Sequence, residues 1–181
     1  MLKPFWRRLN TVLAALLALV IMGAVASQPA SASSPYNLRA VYDLPSSTKW
    51  CMDVRDVSYL NGALIQMYQC LGPNQTNQRW YLFYVPGSGT PGVYQIVAAH
   101  SGKCLDVKDY SMSDAAELQQ WDCLGYNQTN QLWRRVDNGS AYVHWVSVYS
   151  GLEVGDGLTW PWNGALVRQE SGGDYWATAE A

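Results

Sequence analysis

Cys51-Met52-Asp53-Val54 and Cys104-Leu105-Asp106-Val107 are two copies of one motif, and the residues downstream of each copy keep one spacing. Thirteen residues after Asp53 stands Gln66, and thirteen after Asp106 stands Gln119. An aromatic residue comes two positions later in both, at Tyr68 and Trp121, and Cys70 and Cys123 close the segments. Asn74-Gln75-Thr76-Asn77-Gln78-Arg79-Trp80 then matches Asn127-Gln128-Thr129-Asn130-Gln131-Leu132-Trp133. Every pair is 53 positions apart and no gap is needed. This is an internal repeat.

A third, worn copy comes after these two. Leu152-Glu153-Val154 is read in the place of Leu105-Asp106-Val107, and Gly164-Ala165-Leu166-Val167 in that of Gly62-Ala63-Leu64-Ile65. Its cysteines are lost, and Asp174-Tyr175-Trp176 only loosely matches Gln-x-Trp. The repeats span about residues 36–88, 89–138 and 139–181. Units this small cannot bury an apolar face alone, so three of them imply a closed structure around one shared core. Closure also removes exposed strand edges.

Composition points the same way. The chain has nine Trp and twelve Tyr but only two Phe and two His. Short β-like runs alternate with Gly, Pro, Asn and Ser clusters, the pattern of an all-β domain of many short strands.

Residues 1–32 read as a secretory signal peptide, leaving a single domain over 33–181. Lys3, Arg7 and Arg8 form a basic start, and Leu9 to Val25 is almost wholly apolar. Cleavage is expected after Ala26 or Ala32, with Ala30-Ser31-Ala32 the favoured site. No later segment is apolar enough to span a membrane, so the mature protein is expected to be secreted. Signal and domain together fill the chain as read, which disfavours a targeting module cut from a larger enzyme.

Removing the signal takes away three basic residues and no acidic ones, leaving nine Lys and Arg against fourteen Asp and Glu. That surface has no general attraction for phosphate backbones, which argues against nucleic acid as a partner. Four cysteines in an exported chain suggest two disulfides. Equivalence between the copies selects Cys51–Cys70 and Cys104–Cys123, because crossed pairings would break the repeat.

The ordered set Cys-Leu-Asp-Val, Gln-x-aromatic-x-Cys and Asn-Gln-x-Trp resembles that of the ricin B-type lectin domains, which include carbohydrate-binding modules of secreted bacterial glycosidases. The resemblance covers essentially the whole mature chain. It implies a β-trefoil, with threefold pseudosymmetry and up to three shallow sugar sites. By that resemblance Asp53 and Asp106 grip sugar hydroxyls, and Gln66 with Tyr68 and Gln119 with Trp121 form the walls. Asn77 and Asn130 complete the sites, Gln78 and Gln131 support the carboxylates, and Trp80 and Trp133 pack in the core.

The chemistry of these side chains agrees. A carboxylate offers two acceptor oxygens to neighbouring hydroxyls. An amide supplies both a donor and an acceptor, and an aromatic ring gives a flat apolar wall for the C–H face of a pyranose. Strand alternation places Gln66 and Tyr68 on one face, with Ile65 and Met67 on the other. In the third copy Glu153 is read in the place of Asp, Arg168 in that of Gln and Glu170 in that of the aromatic. Two sugar sites are expected, not three. Trp160, Trp162 and Trp176 could be core or a stacking platform on the third lobe.

Nothing in the sequence assembles an active site, and no cofactor or metal site is expected. His100 and His144 are read as packed or solvated strand residues, neither in a metal-ligand nor in a Cys-His arrangement. The expected function is that of a non-enzymatic lectin for galactose- or xylose-type glycans or polysaccharides, acting alone or beside a secreted hydrolase or toxin. The alternative is a secreted protein-interaction or protease-inhibitor trefoil, which would need no Asp, Gln, aromatic and Asn in register twice.

Overall fold

The computed structural model describes residues 35–41, 48–139 and 141–180; the expected signal peptide lies outside them. Thirteen strands and short 3-10 turns make up the regular structure of the described residues. The alternation of apolar residues with Gly and Asn turns therefore resolves into strands, as an all-β reading requires.

Six strands close a ring. They are β1 (Tyr36–Val41), β4 (Trp80–Tyr84), β5 (Val93–Ala98), β8 (Trp133–Asp137), β9 (Val143–Ser147) and β13 (Tyr175–Glu180). Each pairs antiparallel with the next, and β13 returns to β1 over six residue pairs. Three further pairs cap one end of this barrel. These are β2 (Trp50–Val54) with β3 (Ile65–Gln69), β6 (Cys104–Val107) with β7 (Ala116–Trp121), and β10 (Glu153–Gly155) with β12 (Arg168–Glu170). A short β11 (Ala165–Leu166) pairs with β3, and β12 pairs with β7. This is the β-trefoil with its threefold pseudosymmetry.

The symmetry is written most clearly in three indoles. Trp80, Trp133 and Trp176 are fully buried. Each donates its Nε1–H to a backbone carbonyl of its own cap, that of Met52, Leu105 and Val154 respectively, at 3.0 Å in every case. A large ring thus fills the shared core while its one polar atom stays satisfied. Leu38, Ile65, Met67, Ile96, Leu118, Trp145 and Val167 pack around them. Both disulfides form as the repeat requires, Cys51–Cys70 and Cys104–Cys123, each closing a 19-residue separation.

The three indoles also correct the register of the third repeat. Val154 is the counterpart of Met52 and Leu105, so Gly155, not Glu153, stands in the place of Asp53 and Asp106. Strand pairing agrees: Asp53 faces Gln66, Asp106 faces Gln119 and Gly155 faces Arg168. Glu153 lies two residues earlier, its carboxylate 2.9 Å from His144 Nδ1. His100 also departs from expectation, sitting in the turn between β5 and β6 rather than in a strand.

Candidate functional site

In the second repeat, cross-strand pairing of β6 with β7 sets Gln119 directly opposite Asp106. Gln119 Nε2 donates to Asp106 Oδ1 at 2.9 Å, while Asn130 Nδ2 and Gln131 Nε2 donate to Oδ2 at 2.9 and 3.0 Å. Asp106 is only 4% exposed. Burial pushes its carboxyl above the ordinary range, a push that the Gln119, Gln131 and Asn130 hydrogen bonds oppose and Asp109 reinforces.

The amides are themselves fixed. Asn130 Nδ2 also reaches the Val107 carbonyl at 3.1 Å. Gln131 bridges the Asp122 carbonyl and the Leu124 amide, at 3.0 Å each. Both sit in the 3-10 turn Thr129–Gln131, which carries them under the carboxylate. The carboxylate is therefore part of the scaffold as well as part of the floor of what lies above it.

Above it is an open cavity of about 280 Å³, of monosaccharide scale. Asp106, Gln119, Trp121 and Asn130 line it, together with Asp109, Tyr110, Leu124 and Gln128. Trp121 is 38% exposed, so its ring is a wall rather than core. Asn130 Oδ1 is buried and has no hydrogen-bond partner among the described residues. A buried acceptor left in that state calls for a donor.

Sequence reasoning does not mark Asp109, Tyr110, Leu124 and Gln128 as wall residues. Asp109 and Tyr110 occupy left-handed backbone conformations, with φ of 57° and 53°. Two consecutive non-glycine residues in that region carry a local conformational cost, which the surrounding fold maintains. Tyr110 is held there by Tyr149, whose ring meets it edge-on at 4.9 Å and 89°. A signal for this turn does exist in the sequence: Asp56 and Asp109 occur in register, and Asp56 and Val57 adopt the same conformation in repeat one.

Repeat one builds the same frame. Gln66 Nε2 donates to Asp53 Oδ1 at 2.9 Å, and Asn77 Nδ2 and Gln78 Nε2 to Oδ2 at 2.8 and 3.0 Å. Asp53 is 3% exposed, and burial raises its carboxyl against these bonds. Two details differ from repeat two. Val57 stands where Tyr110 stands, and Gln75 Nε2 covers Asn77 Oδ1 at 2.6 Å.

The tip of a neighbouring repeat packs near the glutamine of each site. A Cβ built on Gly62 would lie 3.9 Å from both Gln119 Oε1 and Trp121 Cζ3, so the first repeat's tip stands behind that wall. Its φ of 85° explains the glycine there; Gly164 (96°) and Ala115 (61°) occupy the matching tips. His100 braces that wall, with Nε2 2.9 Å from the Ser58 carbonyl and its ring edge-on to Tyr59 at 5.1 Å. Burial holds the His100 imidazole below its ordinary pKa.

The third repeat holds acids instead. Gly155 supplies no carboxylate, and Asp174 Oδ2 accepts the Asp156 amide at 2.9 Å. Burial, then the nearby Asp156 carboxylate, raises the Asp174 carboxyl to about 7, and the same two causes raise Glu170. Among the described residues no group of three or more His, Cys, Asp and Glu side chains could hold a metal ion. Nor is any described helix long and apolar enough to cross a membrane.

Comparison with known proteins fits this geometry. Solved structures similar to the chain include ThreeFoil, a designed threefold-symmetric protein, at 33% identity and a TM-score of 0.70. That match covers 81% of this chain and 99% of that one. An exo-β-1,3-galactanase from Clostridium thermocellum matches at 29% identity and a TM-score of 0.66, over 82% of this chain but 30% of that one. The Rhizoctonia solani agglutinin shares the fold at 16% identity, with a TM-score of 0.65 over 85% of this chain and all of that one. A family model described as ricin-type beta-trefoil lectin domain-like matches residues 76–170, more than half of the chain. With its repeats, its three buried indoles and its two disulfides, the chain belongs to the ricin-type β-trefoil lectin domain-like family.

Proposed function

We propose that this protein is a secreted glycan-binding lectin with two sites, the stronger in repeat two and the weaker in repeat one. The carrying observation is the meeting of complementary groups in one cavity. Among the described residues Asp106 Oδ1 accepts one donor and so keeps acceptor capacity, Asn130 of the same lining has a buried Oδ1 without a partner, and Trp121 and Tyr110 supply apolar walls. Two neighbouring hydroxyls on a ring with an apolar C–H face satisfy all of these together. In repeat one a hydroxyl must first displace Gln75 from Asn77 Oδ1, and Tyr110 has no aromatic counterpart.

Galactose-type glycans are the first class to try, because a similar structure belongs to an exo-β-1,3-galactanase; xylose-type glycans come second. The reading is one of binding without turnover, alone or beside a secreted hydrolase or toxin. Shallow single sites bind weakly, and two on one rigid body gain by avidity on a polysaccharide.

A glycan and polysaccharide array tests this, comparing wild type with Trp121→Ala and Asp106→Asn. Binding of galactosides or xylan that falls in both folded variants supports the reading. No binding by folded wild type would discard it in favour of a protein-interaction trefoil.

A further inference from the structure

A second open cavity, of about 380 Å³, lies on the hairpin that carries Asp106 and Gln119. Lys108, Asp109, Ser111, Ala115, Ala116 and Glu117 line it. Asp109 lines the Asp106 cavity as well, so one side chain borders both spaces. Strand β7 runs past both: Gln119 and Trp121 line the first cavity and Glu117 lines the second. Alternation puts these three side chains on one face, with Glu117 about 7 Å along the strand from Gln119. The two cavities are therefore consecutive on one surface.

Their chemistry differs. Trp121 and Tyr110 wall the first with rings, whereas no aromatic residue lines the second. The second offers hydrogen-bonding groups instead. Lys108 Nζ donates to Glu117 Oε2 at 2.9 Å across the hairpin, and both side chains are partly exposed. An ammonium has three donors and a carboxylate two acceptor oxygens, so each keeps capacity for a hydroxyl after pairing. The lining carries one ammonium and two carboxylates, those of Asp109 and Glu117, a balance that disfavours an anionic ligand. Arg168 lies opposite Glu117 on β12, outside that lining. The hairpin also holds three non-glycine residues in left-handed backbone, Asp109, Tyr110 and Ala115, and each lines one cavity or both. Local cost of this kind gathers at ligand sites. Repeat one lacks the Lys108–Glu117 pair, because Leu64 stands where Glu117 stands.

We infer that the Lys108–Glu117 cavity is a second subsite of the repeat-two site, holding the neutral sugar unit next to the one at Asp106. Repeat two then reads two adjacent units, the first by its ring face and the second by its hydroxyls, whereas repeat one reads a single unit. The inference rests on the reading of the Asp106 cavity as a sugar site. The shared Asp109 and the common face of β7 select one continuous ligand over two separate ones.

The test follows the Trp121 indole N–H signal of the full chain by nuclear magnetic resonance, which reports on repeat two alone; Trp121→Phe identifies that signal by removing it. The ligands are galactose, β-1,3-galactobiose, xylose and xylobiose, with glucuronosyl-galactose and glucuronosyl-xylose as acidic counterparts. In one of the two neutral series the disaccharide should bind at least about fivefold more tightly than its monosaccharide, and the acidic disaccharide should gain nothing. Lys108→Ala with Glu117→Leu should bring the ratio of the two neutral affinities down to about one. Lys108→Gln with Glu117→Gln, which keeps donors and acceptors, should retain most of the gain. A neutral disaccharide no tighter than its monosaccharide, or a gain that survives Lys108→Ala with Glu117→Leu, overturns the second subsite and leaves the sugar reading standing. An acidic disaccharide that binds as tightly as the neutral one overturns the choice of a neutral unit. Failure of every sugar to shift the wild-type signal overturns both the subsite and the sugar reading.

Discussion

Asn61 of the first repeat and Asp122 of the second are joined by two opposed hydrogen bonds. Asn61 Nδ2 donates to Asp122 Oδ2 at 2.8 Å, and the Asp122 amide donates to Asn61 Oδ1 at 3.0 Å. Asp122 follows Trp121, so this clasp sets where the repeat-two wall stands. Asn61→Ala should lower repeat-two affinity about three- to tenfold at a stability cost of roughly 1 kcal/mol, typical of lost hydrogen bonds. Repeat one should be unaffected, which titration of Asn61→Ala in a background lacking each site in turn would check.

Asp106→Asn and Trp121→Ala should both abolish repeat-two binding but separate in stability. Asp106 accepts from three amide nitrogens, so an Asn there turns one acceptor into a donor facing other donors. A loss of about 1–3 kcal/mol is expected for that buried mismatch. Trp121 stands at the surface and its removal should cost under about 1 kcal/mol. Urea melts of the two variants measure the difference.

The third lobe should make the protein less stable as pH rises from about 4 to about 7. Asp174 has its carboxyl raised to about 7 in the folded state, chiefly by burial and then by Asp156. The folded state therefore holds a proton that the unfolded chain releases near pH 4. The resulting stability is complete below that value and is lost as pH climbs through 7, leaving a plateau above. The swing should be at most about 4 kcal/mol, and Asp174→Asn, which keeps an acceptor for the Asp156 amide, should shrink it. Melting temperatures at pH 5 and pH 8 for both proteins decide the matter.

Tyr149→Ala should weaken repeat-two binding several-fold while leaving the cavity's polar groups in place. Tyr149 meets Tyr110 edge-on, an arrangement worth about 0.5–1.5 kcal/mol, and without it Tyr110 is free to leave its position over the cavity. Tyr149→Phe keeps the ring contact and should bind as wild type does.

Much of the fold and of both sites is legible because residues 51–80 and 104–133 keep one unbroken spacing. Asp53 with Gln66, and Asp106 with Gln119, are each brought face to face by strand pairing. The third repeat is harder to read for a physical reason. Its Asn-Gln turn is shortened, and without cysteines nothing marks where the cap begins, so Glu153 takes the place that belongs to Gly155. The hydrogen bond from the Trp176 indole to the Val154 carbonyl and the pairing of Gly155 with Arg168 place it. Tyr110 and Gln128 escape notice because their value depends on backbone conformation and on rotamer. Gln75 and Gln128 are the same residue in the same motif, yet one covers an amide oxygen and the other lines a cavity.

The third repeat's tip has a consequence for any shortening of the chain. The Asn163–Gln69 contact spans 94 residues of sequence. A protein ending before Thr159 would lose this contact together with β13, so the barrel that carries the repeat-one site would not close. Ligand affinity at Asp53 is thus a remote reporter of whether the last stretch of polypeptide has docked, and it could be used to follow the completion of folding from the far end of the molecule.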